Sequence, residues 1–144
     1  MSAETFFSDV QKAALRVAIE GAERKTSGEI RVHVENKCKG DVLKRAEKVF
    51  GMLKMQETRL RNGVLIYLAI DSRVFAIYGD KGINEKVKPD FWNECSAFME
   101  KHFRKGEFTD GLRGGIAMVG DQLSKHFPHT SDDRNELTND ISFK

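Results

Sequence analysis

The sequence predicts an α/β domain, a three-layer α/β/α sandwich built on a small mixed sheet, from three observations. Apolar residues recur at helical spacing in the segment from Ser8 to Lys25 and in the one opening at Asp41, with a strictly alternating stretch, 29–35, between them. The run Val64 to Ile70 is apolar throughout, as a central strand covered on both faces must be. The short polar link Asp71-Ser72-Arg73 joins it to a second strand-like run, Val74 to Tyr78, as an antiparallel hairpin would. The expected order is α-β-α-β-β-α-α.

Each element has its own signal. Val10, Ala13, Ala14, Val17 and Ala18 form the apolar stripe of the first helix, and Ser8 with Gln11 has the form of a capping box that marks its start. Thr26-Ser27-Gly28 stops it. In the strand that follows, Ile30, Val32 and Val34 alternate with Glu29, Arg31, His33 and Glu35, which predicts a half-exposed strand. Val42, Ala46, Val49, Phe50 and Leu53 keep a helical period after Lys39-Gly40-Asp41, and a right-handed crossover then makes the first two strands parallel. Gly79-Asp80-Lys81-Gly82 breaks the third strand, and Pro89 suits the first turn of a helix bearing Phe91, Cys95, Phe98 and His102. The last helix, Thr109 to Phe127, carries Gly111, Gly114, Gly115 and Gly120 at about 0.8–1 kcal/mol each relative to alanine. Tight packing on the twisted sheet accounts for them; a backbone surface open to a ligand is the sharper alternative. Residues 1–127 are read as one domain and 128–144 as a polar, flexible tail whose Leu137, Ile141 and Phe143 offer a means of docking.

Composition narrows the function. With 144 residues, 40% hydrophobic, there is material for one good core and not for two. A formal charge of +2 supplies no bulk field to hold nucleic acid or an anionic membrane. The longest apolar run has seven residues against the ~20 a membrane helix needs, and the first residues lack a basic-then-apolar secretory pattern. A cytoplasmic monomer without nucleic-acid or membrane partners is the expectation, with any protein partner left open. Cys38 and Cys95 lack a C-x-x-C spacing and read as unpaired structural thiols.

Familiar catalytic spacings are missing: there is no G-x-S-x-G, Walker loop, H-E-x-x-H or G-x-G-x-x-G. Neither cysteine has an arginine six positions on, as a cysteine phosphatase needs. Pro128 separates His126 from His129, which removes a one-face zinc pair, and His33 and His102 read as surface or satisfied core histidines.

The carboxylates become informative when placed on the proposed topology. Glu29 opens the first strand, Arg61-Asn62-Gly63 opens the second, and Gly79-Asp80 closes the third, so all three share one edge of the sheet. That edge gathers Glu29, Asn62, Asp80 and the carbonyls of a glycine turn, hard oxygen donors of the kind calcium takes six to eight of. A solvent pairing of Glu29 with Arg31 or Lys81, and ordinary turns at Asn62 and Asp80, account for the same residues without an ion.

The ordered motifs Thr26-Ser27-Gly28-Glu29-Ile30, Asn62-Gly63-Val64-Leu65, Gly79-Asp80-Lys81-Gly82 and Phe103-Arg104-Lys105-Gly106-Glu107-Phe108-Thr109-Asp110-Gly111-Leu112 resemble those of the TPM-domain family, over residues 5–127. The turn here reads G-D-K-G where relatives often have G-Y-G. The resemblance implies an α/β/α sandwich of the kind found in a thylakoid-lumen protein of photosystem II repair described as an acid phosphatase, and identifies this chain as similar to a small soluble bacterial member. It also implies calcium held in loops at one end of the sheet, at Glu29, Asn62 and Asp80. The expected function is divalent-ion binding, calcium first, by an accessory or interaction module; the alternative is a metal-assisted acid phosphatase, for which no nucleophile with a positioned partner is evident in the sequence.

Overall fold

The computed structural model describes residues 2–129 and 141–143. A one-turn helix α1 (Ala3–Phe6) precedes α2 (Asp9–Glu23), and Ser8 and Gln11 form the reciprocal capping box that their spacing predicts. Then follow β1 (Glu29–Glu35), α3 (Val42–Met52), a short 3-10 turn (Met55–Glu57), β2 (Gly63–Ala69) and β3 (Val74–Gly79). Helices α4 (Lys81–Asn84), α5 (Pro89–Arg104) and α6 (Phe108–His126) come next, and β4 (Ser142–Phe143) is last. The three short pieces α1, α4 and β4 add to the expected order; with two to four residues each, none is long enough to show a period.

The sheet is mixed, in the order β3-β2-β1-β4. β1 and β2 are parallel with Glu29 opposite Gly63, and β2 and β3 are antiparallel with Val64 opposite Gly79, as the crossover and the hairpin require. β4 lies parallel to β1, pairing Ser142 with His33 and Phe143 with Val34. Docking of the tail is thus seen at residues 141–143, and the rest of the flexible-tail expectation, 130–140, lies outside the described residues.

Every residue of β2 is buried, because Val64, Ile66 and Leu68 join the core under α2, α5 and α6 while Leu65, Tyr67 and Ala69 pack with Ala46, Val49 and Phe50 of α3. These two apolar clusters, one on each face of a single sheet, make the three layers of one domain. The same covering corrects the half-exposed reading of β1. Glu29, His33 and Glu35 are buried, so the alternation reports two buried faces, one apolar and one polar.

The α6 glycines serve helix packing rather than contact with the sheet. A Cβ on Gly114 would fall 2.0 Å from the Phe98 ring and one on Gly115 2.5 Å from Met99 Sδ, both on α5, while Gly120 meets Ala22 of α2 at 2.7 Å. Cys38 and Cys95 are both free thiols, and burial pushes Cys95 up to about 12.

Candidate functional site

Helix α2 ends at Glu23, and Thr26-Ser27-Gly28 reverses the chain into β1. The turn is pinned from the far end of α6: the Ser27 N–H donates to the Phe127 carbonyl at 3.0 Å, and the Thr26 hydroxyl donates to the same oxygen. A Cβ on Gly28 would lie 2.7 Å from the Leu123 side chain, so the turn passes close against α6 here.

The three loops singled out from sequence meet backbone to backbone. The Glu29 N–H donates to the Asn62 carbonyl at 3.3 Å, the Asp80 N–H to the Gly63 carbonyl at 2.9 Å, and the Gly82 N–H to the Arg61 carbonyl at 2.8 Å. A Cβ on Gly82 would stand 2.2 Å from the Leu60 carbonyl oxygen, which is why the turn after β3 carries glycine there. Glu29, Asn62 and Asp80 are all buried.

Their side chains have different tasks. Both Asp80 oxygens are engaged: Arg61 Nε donates at 2.7 Å and its Nη2 at 2.9 Å, and the Lys81 N–H donates at 2.8 Å as Asp80 caps α4. Arg61 holds a left-handed φ of 53° within this clasp, and the carboxylate beside it raises its pKa. Asn62 Nδ2 donates to Ser27 Oγ at 3.3 Å, which leaves its buried Oδ1 with no partner.

The structure adds Glu23, a residue outside the apolar stripe of α2. Glu23 folds back over the turn, so that its Oε2 accepts from the Ile30 N–H at 2.8 Å and its carboxyl comes beside that of Glu29. Burial raises the Glu23 pKa, the Ile30 N–H opposes this, and the negative charge of Glu29 raises it further. Two ionised carboxylates cannot donate to one another, and Glu23 Oε1 is buried without a donor. Burial beside a second carboxyl favours a proton on Glu23, and a cation would answer the same repulsion. The available signal was an acidic residue in the last turn of a helix, where the macrodipole disfavours it.

Among the described residues, no three histidine, cysteine, aspartate or glutamate side chains cluster as a metal site would. The donors at this edge are instead two carboxyls and an amide oxygen.

A family model described as the TPM domain matches residues 1–122. The chain belongs to the TPM-domain family. Its fold is similar to the NMR structure of the BA42 protein from the psychrophilic bacterium Bizionia argentinensis, with 47% identity, 96% of each chain covered and a TM-score of 0.91. Two more distant likenesses concern the fold alone. An N-terminal domain from P. gingivalis is 21% identical over 86% of this chain and 82% of that one, with a TM-score of 0.69. The N-terminal domain of the cg2496 protein from Corynebacterium glutamicum is 12% identical over 93% and 84%, with a TM-score of 0.68. No curated protein sequence matches the chain.

The other end of β1 in this TPM domain carries a second polar cluster. Glu35 accepts from Arg45 Nε at 3.0 Å and from its Nη2, from the Tyr67 hydroxyl, and from His33 Nε2 at 3.2 Å. Burial alone would raise the Glu35 carboxyl, but the bonds from Arg45, Tyr67 and His33 outweigh it and bring it down to about 2. His33 Nδ1 pairs with Ser142 Oγ of β4 at 2.8 Å, and burial lowers its pKa despite the carboxylate beside it. His33 is thus a satisfied core histidine, one of the two readings its sequence position offered. His102, the other, bonds Glu107 through Nδ1 at 2.8 Å. Among the described residues, no helix is long and apolar enough to cross a membrane.

Proposed function

We propose that this TPM domain binds a divalent cation, calcium first, at the amino end of β1, and serves in the cytoplasm as an accessory or interaction module. The observation that carries the reading is a pair of buried oxygens at this edge, Glu23 Oε1 and Asn62 Oδ1, each without a hydrogen-bond partner and set beside the Glu29 carboxyl. Glu23 and Glu29 supply charge and Asn62 Oδ1, buried and unpartnered, supplies a neutral oxygen. An all-oxygen set suits calcium or magnesium and not zinc or copper, and backbone carbonyls and water complete the six to eight positions calcium takes. Asp80 supports the site from behind: by holding Arg61 it sets the shape of the loop that presents Asn62. Two free cysteines fit a reducing compartment.

The test is a titration of the labelled protein with calcium and with magnesium, following backbone amides. Shifts confined to residues 23, 27–30, 61–63 and 79–84, lost in Glu23→Gln and Glu29→Gln, support the reading. Absence of any saturable shift with either ion overturns it.

A further inference from the structure

We propose that the pocket at the carboxyl end of β1 is a binding site for an oligophosphate, a compact anion carrying at least two phosphoryl groups. The pocket, about 730 Å³, is formed by the loop after β1 and by α3, and five cationic side chains line it against two carboxylates. Both carboxylates are already committed. Glu35 is held by Arg45 and by the Tyr67 and His33 bonds, and Asp41 caps α3 by accepting from the Lys44 N–H at 2.9 Å. Lys37, Lys39, Lys44 and Lys48 are therefore left facing one space, and among the described residues none of them forms an ion pair. Lys44 and Lys48 are also one turn apart on α3, a like-charge spacing that destabilises a helix. The nearby Glu47 faces elsewhere, accepting from the Tyr78 hydroxyl at 3.2 Å.

The pocket is built rather than incidental. The Cys38 N–H donates to Ser72 Oγ at 2.9 Å, tying the lysine-bearing loop to the β2–β3 turn, and the Ala3 N–H donates to Asn36 Oδ1 from the other side. The position is the carboxyl end of two parallel strands, where open α/β sheets place their ligands.

The chemistry selects the ligand. With the Arg45 fork used by Glu35, the remaining donors are ammonium groups on flexible stems, which bind phosphate as point charges rather than by planar two-point recognition. Four such charges call for several negative charges in a small body. An acidic peptide spreads its charges along a chain at about 3.5 Å per residue and fits a long groove better than a pocket of this size. The site lies at the other end of β1 from Glu29, about 20 Å away for a seven-residue strand, so it stands or falls independently of the divalent-ion reading.

The experiment is calorimetric titration of the metal-free protein with tripolyphosphate in low-salt buffer stripped of divalent ions, with orthophosphate and hexaglutamate as parallel arms. Tripolyphosphate is expected to bind at least tenfold more tightly than either, weakening steeply as salt rises. The double variant Lys44→Gln/Lys48→Gln, both exposed positions, is expected to weaken it at least tenfold, while Lys86→Gln/Lys101→Gln on the other side of the sheet leaves it unchanged. No saturable binding, equal loss in both double variants, or hexaglutamate binding as tightly as tripolyphosphate overturns the proposal, the last result pointing to an acidic peptide.

Discussion

Glu23 and Glu29 bring their carboxyl groups together across the turn between α2 and β1, so that the charge of Glu29 raises the pKa of an already desolvated Glu23. Because the folded pKa of Glu23 is raised above its ordinary 4.5, the native state holds a proton that the unfolded chain has released. This group's contribution to stability is full below pH 4.5 and is lost as pH rises towards the neutral range, by up to about 1.4 kcal/mol per pH unit. Urea denaturation of the metal-free protein between pH 5 and 8 is expected to show the decline, and Glu23→Gln, which carries a permanent donor, to flatten it.

A cation entering the site displaces that proton. Calcium affinity is expected to rise with pH across the same window, and calorimetry in buffers of different ionisation enthalpy is expected to register proton release. In Glu23→Gln the release disappears.

The Glu35–Arg45 pair titrates in the opposite sense. Glu35 is held at about 2, so its stabilisation is present above pH 4.5 and is lost as pH falls towards 2. Arg45→Met leaves a buried carboxylate with only Tyr67 and His33 as donors, at a cost of about 3 kcal/mol near neutrality. The gap between wild type and variant, measured by urea denaturation, is expected to narrow in acid as the carboxyl is protonated.

The glycines divide into two groups by what surrounds them. Gly21 in α2 and Gly51 in α3 have no atom within 4 Å of an added Cβ, so Gly21→Ala and Gly51→Ala are expected to stabilise by about 0.5–1 kcal/mol each. Gly82→Ala meets the Leu60 and Arg61 carbonyl oxygens at 2.2 and 2.5 Å, and backbone cannot swing aside as a side chain can. A loss of about 1–3 kcal/mol is expected, together with weakened calcium binding, since the 60–62 loop must shift. Thermal melts of the three variants check the order.

The sheet was legible because its signals are local. A wholly apolar Val64–Ala69 can only be central, and the link at 71–73 leaves no room for a crossover. The meeting of positions 28, 62 and 80 followed from strand direction alone. What stayed hidden depends on partners far away in the chain. The polar face of β1 looks solvated until Arg45, Tyr67 and Ser142 are seen to cover Glu35 and His33. Glu23 reads as a surface residue on a helical wheel because nothing in the helix period reveals that the next turn folds back onto it. The engagement of Asp80 by Arg61 likewise depends on a left-handed residue that no glycine or asparagine announces.

The two residues of β4 have a consequence out of proportion to their length. They occupy the outer flank of β1, anchored by Ser142 on His33 and by the Phe143 ring under Lys12 Nζ at 5.1 Å. Clipping the chain ahead of Ser142 strips that guard and bares a row of amide and carbonyl groups, a margin to which another molecule's strand can adhere. Light scattering of the trimmed protein is then expected to grow with concentration more steeply than that of the intact one, so two residues decide whether this flank stays closed.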